Sequence, residues 1–323
     1  MCENPIQAWQ DLDRVTSNGS NPILFSLPKE IHDLIVCSGH VSKRYREISL
    51  PCGHCFSCRR DRAWELTVRA SFESRCYDDN SFITLTCADK YLPEIFPNGV
   101  AHRPWQLFAK RLRKLIGPFR YLMCAEYGSK TCRPHYHAII FGHNLLDIGL
   151  LPDGTFVPSL KVAKCWSYGH VQCDLVNERR LAYVAGYTLK DFQLGRTKQW
   201  YSDRGLNLPY VKWSRRPGLG LFYFQRFYTS LCKSKVDWRD CQKLTTHHFE
   251  GIFGVKKRSF TSRYFFEKLQ LLNPELYATI LSDRETAKLH PKSLVELQSR
   301  IDDALRKSRC QQYALSLKDR DVT

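Results

Sequence analysis

Glu126, His135 and His137 are residue types that hold divalent cations; Tyr183, Tyr187 and Lys190 are types that attack an ester and stabilise the charge that forms. The two histidines stand one residue apart at the mouth of an apolar run, RPHYHAIIFG (133–142). Side chains alternate along a strand with period two, so both imidazoles point to one face. An H-x-H triplet arises by chance roughly 0.4 times in a chain with this histidine content, so it needs supporting residues. Glu126 lies near the end of the preceding stretch, FRYLMCAEYG (119–128), and GSKTCRP joins the two in what reads as a hairpin. Antiparallel pairing then sets the carboxylate beside both imidazoles. Two neutral nitrogens and one anionic oxygen make an open site suited to Mg2+ or Mn2+ working on a phosphate, with Zn2+ compatible by residue type.

The tyrosines lie in NERRLAYVAGYTLKDF (177–192), which reads as a helix with Asn177 as its N-cap. Tyr183, Tyr187 and Lys190 fall at i, i+4 and i+7, one stripe of a helix. Leu181, Val184, Ala185 and Thr188 are left for packing elsewhere. A phenol with a pKa of about 10 is a poor nucleophile at neutral pH unless its charge is stabilised. Lys190, one turn beyond Tyr187, would favour that phenolate, so Tyr187 is expected to act first and Tyr183 second.

A third chemistry resides in CGHCFSC, where Cys52, Cys55 and Cys58 form a tight thiolate group. Cys37, His40 or His54 could complete a tetrahedral, structural Zn2+ site. The spacing also approaches iron–sulfur ligation, without that pattern's fourth cysteine and following proline.

These residues need elements to position them. A helix is expected from about Arg60 to Arg75, and SFITLTC (81–87) has strand alternation. RPWQLFAKRLRKLIGPF (103–119) reads as a helix stopped by Gly117-Pro118, with Trp105, Phe108, Leu112 and Leu115 facing a sheet. Lys110, Arg111, Arg113 and Lys114 occupy much of its remaining surface and are candidate phosphate contacts. Residues 143–176 read as irregular, and residues from about 255 onward as charged and helix-prone, without strand pattern. The order strand, helix, strand, strand, helix predicts an α+β fold with an antiparallel sheet flanked by helices, an N-terminal cysteine cluster and a C-terminal helical extension. The expected divisions are 1–59, 60–230 and 231–323.

Lysine and arginine number 49 against 32 acidic residues, a net charge of +17. That surplus points to a polyanionic partner, nucleic acid first. No apolar run is long enough to span a bilayer and no secretory signal is visible, so the 14 cysteines are expected in a reducing cytoplasm.

The ordered set of motifs resembles a known family. His135-Tyr136-His137 is similar to the two-histidine strand motif of HUH endonucleases, Tyr187-Thr188-Leu189-Lys190 to their Y-x-x-K motif, and FITLT (82–86) to their first strand motif. Tyr183 would supply the second tyrosine of the two-tyrosine class. PCGHCFSCRRDRAWELTVR, EYGSKTCRPHYHAIIFG, WSYGHV and YVAGYTLK, in this order, resemble the replication initiators of gokushoviruses, single-stranded DNA phages of the Microviridae such as those of Chlamydia. The resemblance covers roughly residues 50–225. It implies rolling-circle initiation in the host cytoplasm: nicking of the phage strand at the origin of the double-stranded replicative form, a 5′-phosphotyrosine intermediate, and rejoining of the displaced strand to a circle. It further implies Mg2+ or Mn2+ on Glu126, His135 and His137, and origin DNA, host helicase and host polymerase as partners. Tyr136 and Cys87 depart from the family's usual residues without removing a group the chemistry needs. A relaxase or transposase would share these parts. A non-catalytic, zinc-stabilised DNA-binding protein would explain the charge and cysteines alone.

Overall fold

The computed structural model describes residues 2–17, 21–27, 44–233, 246–252 and 255–289. Contacts divide the chain into two compact units, 1–59 and 60–323. In the first, β1 (Ile6–Asp11) is the middle strand of a three-stranded antiparallel sheet between β2 (Ile23–Leu24) and β3 (Tyr45–Leu50). The Arg44 guanidinium grips the buried Asp11 carboxylate at both oxygens, 3.1 and 3.0 Å. Helix α1 (Phe56–Ser74) begins four residues before its expected start and runs into the second unit.

The second unit is built on five antiparallel strands in the order β10 (Tyr210–Trp213), β5 (Arg120–Tyr127), β6 (Pro134–Phe141), β4 (Asn80–Cys87) and β9 (Gly169–Leu175). The centre is as the alternation predicts: β4 (Asn80–Cys87), β5 (Arg120–Tyr127) and β6 (Pro134–Phe141). One face carries Ile83, Leu85, Met123, Ala125, Tyr136, Ala138 and Ile140, and α2 (His102–Ile116) packs on it through Trp105, Phe108, Ala109 and Leu112. Leu115, expected on that stripe, is 51% exposed; it lies at the stripe's margin in the last helical turn. The other face packs Leu122, Cys124, Ile139 and Phe141 against Leu66 and Ala70 of α1 and Leu181, Val184 and Ala185 of α4 (Glu178–Ala185). Each apolar set recurs at the period its element demands, so the sheet is buried on both faces.

Three expectations need correction. Residues 143–176 are not irregular: a two-residue hairpin, β7 (Gly149–Leu150) with β8 (Phe156–Val157), leads to α3 (Leu160–Cys165) and then to β9 (Gly169–Leu175), a full edge strand. The 177–192 helix is not continuous. Asn177 caps it as expected, accepting from Arg180 N at 2.9 Å, but α4 stops at Gly186; a 3-10 turn (Tyr187–Leu189) and the short α5 (Lys190–Gln193) follow. Residues 255–261 are extended: β11 (Thr246–Ile252) and β12 (Val255–Thr261) pair as a hairpin. Beyond it the chain is helical, in α7 (Arg263–Leu272) and α8 (Pro274–Leu289). Together with α6 (Leu221–Lys233), α7 buries Phe224, Phe265 and Leu269 against Trp64 and Phe72 of α1. The opposite edge strand, β10 (Tyr210–Trp213), pairs with β5. Among the described residues no helix is long and apolar enough to cross a membrane.

Candidate active site

The β5–β6 register pairs Glu126 directly with His135, and Cys124 with His137. Glu126, His135 and His137 therefore share the α4-facing side of the sheet, as do Thr84 and Thr86 of β4, which oppose His137 and His135. Thr84 Oγ1 is 2.9 Å from His137 Nδ1, and Thr86 Oγ1 is 3.0 Å from His135 Nδ1. Both imidazoles are thus tied at Nδ1 and present Nε2. A hydroxyl can donate or accept, so each threonine fits either histidine tautomer. Burial holds His135 down to a pKa of about 4, which keeps the ring neutral, the state a metal ligand needs.

Glu126 is buried and fully engaged. His137 Nε2 is 2.6 Å from its Oε1, and Lys190 Nζ donates to its Oε2 at 3.0 Å. The donor set suits a hard divalent cation: two ring nitrogens fixed by threonines and one carboxylate. Their second-layer partners are of the kind that orients ligands. The ligating atoms of Glu126, His135 and His137 do not all lie within 4.8 Å of one another, so holding an ion there requires the three side chains to close around it.

Both tyrosines reach this site. The Tyr183 hydroxyl is 3.4 Å from His137 Nε2 and 3.5 Å from Glu126 Oε1, and its side chain is 44% exposed. The Tyr187 ring stacks on His137 at 6.1 Å and lies 5.7 Å from the Tyr183 ring. Lys190 Nζ sits 5.1 Å from its centroid. Tyr187 is only 4% exposed, and its hydroxyl has no hydrogen-bond partner. An unanswered buried hydroxyl costs about 1–3 kcal/mol. The more accessible phenol is Tyr183, and the Lys190 ammonium expected to serve Tyr187 is bonded to Glu126.

Residues 80–192 match the family model described as Replication-associated protein ORF2. Over these residues the chain is similar to the ORF2 replication-associated family. Relatives include replication-associated protein VP4 of Bdellovibrio phage phiMH2K, 30% identical over 181 residues, covering 50% of this chain and 55% of that protein. Replication-associated protein ORF4 of Chlamydia phage 1 is 29% identical over 58% of this chain and 48% of its own length. Replication-associated protein ORF2 of Spiroplasma virus 4 is 32% identical over 54% and 57%. The chain spans about half the length of the curated relatives it matches. No solved structure matches it.

The ORF2-family segment contains Glu126, both histidines, both tyrosines, Lys190 and the two threonines. The threonines escaped sequence reading although the signal was present: the alternation that makes β4 a strand puts Thr84 and Thr86 on the histidine face. The basic helix is also inside the segment but is not part of the site. Lys110, Arg111, Arg113 and Lys114 lie on α2, which covers the opposite face of the sheet. Arg111 is tied to Cys165 O at 3.3 Å and Ser167 Oγ at 3.0 Å, and Arg113 lies 4.5 Å over the Phe119 ring.

The cysteine cluster lies outside the ORF2-family segment, in the first unit. Cys2, Cys52, Cys55 and Cys58 bring their sulfurs within 4.8 Å of one another, the only such group of metal-ligating atoms among the described residues. Cys2 Sγ is 3.9 Å from Cys55 Sγ. Backbone N–H groups of His54 and Cys55 donate to Cys52 Sγ at 3.4 and 3.3 Å, and Cys52 N donates to Cys2 Sγ at 3.3 Å. Gly53, at φ +74°, makes the turn between them. The fourth sulfur is Cys2, which sequence reading missed; Cys37 and His40 lie outside the described residues, and His54 offers the sulfurs its backbone N–H.

Proposed function

We propose that the second unit is a DNA-nicking and strand-joining enzyme that works through a covalent phosphotyrosine, and that the protein initiates rolling-circle replication of a phage genome in its host's cytoplasm. The observation that carries this reading is the Tyr183 hydroxyl, 3.4 Å from His137 Nε2 and 3.5 Å from Glu126 Oε1. The phenol oxygen attacks phosphorus, a P–O(Tyr) bond forms, and the P–O3′ bond breaks. The phenolic proton passes to water at the exposed Tyr183 side chain, and the departing 3′ oxygen takes a proton from water to become a free hydroxyl that primes synthesis. The ester keeps the bond energy, so a later attack by a DNA 3′-hydroxyl rejoins the strand without ATP. A divalent cation held by Glu126, His135 and His137 would neutralise charge on the non-bridging phosphate oxygens. Joining needs a second nucleophile while the first is occupied, and Tyr187, behind the Gly186 break, supplies it. Origin DNA and the host's helicase and polymerase are the partners this role requires.

Zinc is the metal we assign to the four cysteines. The edge of a ZnS4 tetrahedron is about 3.8 Å, close to the Cys2–Cys55 separation, and four thiolates with no open position make a structural site. For the enzymatic reading the test is incubation with labelled single-stranded DNA spanning the cognate origin plus Mn2+. A protein–DNA adduct that survives denaturation and maps to Tyr183 or Tyr187 is expected; an adduct on any other residue, or none, overturns it.

A further inference from the structure

Apart from the tyrosine site, the second unit has a cleft of about 450 Å3 whose lining includes Arg69 of α1, Trp213 at the end of β10, Arg215, Arg216, and Tyr264 and Lys268 of α7. Four cations face it and no carboxylate does. The acids closest to hand are spent elsewhere. Glu65 caps α7, accepting from Ser262 Oγ at 2.7 Å and Arg263 N at 2.9 Å. Glu73 binds Arg120 Nε and Gly220 N, both at 2.6 Å. Among the described residues none of the four cations has a carboxylate within 4.0 Å, whereas Arg120 and Arg263 just outside the cleft are each paired.

Arg69 is the clearest case. It is partly buried, and burial pulls its guanidinium pKa below the ordinary value. Its Nε donates to Leu219 O at 3.4 Å, and its plane lies 4.0 Å over the Tyr264 ring. A Cβ on Gly218 would come within 2.4 Å of the Tyr264 hydroxyl and 2.8 Å of Arg69 Nη2, so a larger residue there would push these two side-chain ends aside. A partly desolvated cation is costly unless anions answer it, and Glu65 and Glu73 act on Arg69 only from a distance while bonded elsewhere. Arg215 lies 5.5 Å from the centroid of the Trp213 ring, so cation and aromatic face recur on the other wall. Basic grooves interleaved with aromatic rings are how single strands are gripped without regard to sequence.

The cleft is placed to serve the site. Trp213 pairs with Leu122, four residues along β5 from Glu126 and on the same face, which is roughly 14 Å at strand rise. We propose that this cleft holds the sugar-phosphate backbone of single-stranded DNA a few nucleotides from the cut, with Arg69, Arg215 and Lys268 on phosphates and Trp213 offering a face to a base. This rests on the nicking reading above.

The test uses the full chain and a fluorescein-labelled dT12 oligonucleotide, its affinity followed by anisotropy over a salt series, with adduct formation on origin DNA measured in parallel. Arg215→Gln/Lys268→Gln removes two exposed-side cations. It should weaken dT12 binding about tenfold and flatten the log–log salt slope by about 1.4, the value for two lost single-strand phosphate contacts. Arg263→Gln, whose charge is already answered by Glu267, is the control and should leave the slope unchanged. Equal slopes for wild type and the double variant, with adduct formation intact, overturn the cleft proposal alone. Absence of any adduct in the wild type overturns the nicking reading instead.

Discussion

At the scale of single residues, the site rests on two threonines as much as on the histidines they hold. Thr84→Val and Thr86→Val keep the β-branched shape and lose only the hydroxyl bonded to Nδ1. Each should lower Mn2+ affinity by about 10–100-fold, as loss of a ligand-orienting partner does, with the fold retained. Calorimetric titration with Mn2+ checks this, and wild-type affinity in both variants would remove the orienting role. The tyrosines divide by exposure. Tyr183→Phe should abolish most of the first nick on single-stranded origin DNA, whereas Tyr187→Phe should still nick but release few closed circles. Gel separation of adducts and circles reads both, and the opposite pattern would restore the order expected from Lys190. The histidines, Glu126 and the tyrosines were legible in the sequence because strand and helix periods fix which side chains converge. Their difference in exposure was not, because it depends on burial. Tyr187 is covered by packing from distant segments, and no local pattern reports that.

At the scale of elements, the strands at the sheet's centre were readable and its edges were not. β4, β5 and β6 are buried on both faces and carry the apolar contrast that betrays a strand. β9 exposes Leu175 and alternate polar residues, and β10 has four residues, so each owes its extended form to a neighbour's hydrogen bonds. The break at Gly186 was hidden likewise. A glycine lowers helix propensity by about 1 kcal/mol, and packing decides whether the helix continues. In the first unit, β1 is held at one end by the Asp11–Arg44 pair, and Arg44 keeps the Asp11 carboxyl below its ordinary 3.8. A carboxylate lowered in the folded state contributes stability above its unfolded pKa and loses it as pH falls through the folded value. Asp11→Asn should therefore be less stable than wild type at pH 7, and the gap should shrink as pH falls below the ordinary carboxylate value and through the lower folded one. Acid-unfolding curves of the two proteins decide this; a gap of constant size would mean that the pair contributes through packing.

At the scale of the whole molecule, the four-cysteine cluster joins residues about fifty positions apart in sequence, which is why Cys2 could not be chosen from the sequence. Three cysteines in CGHCFSC announce a site; the fourth is set by how β1 and β3 pair. Protein purified without added metal should carry one zinc per chain by elemental analysis. Cys2→Ser should lose it and melt several degrees lower, because metal binding free energy is folding free energy in such sites. Zinc-free wild-type protein, with Cys2→Ser melting unchanged, would leave the cluster as reduced thiols.

The antiparallel order of the central sheet has a consequence for synthesis. The histidines on β6 can pair with β4 and β5 once the chain has been made to residue 141, while Tyr183 lies 46 residues beyond His137. A ribosome thus delivers the half of the centre that would bind metal before either phenol exists, and a nascent chain stalled between them could hold an ion but could not cut. On the nicking reading, the centre stays inert until the helical segment that carries the tyrosines has been made.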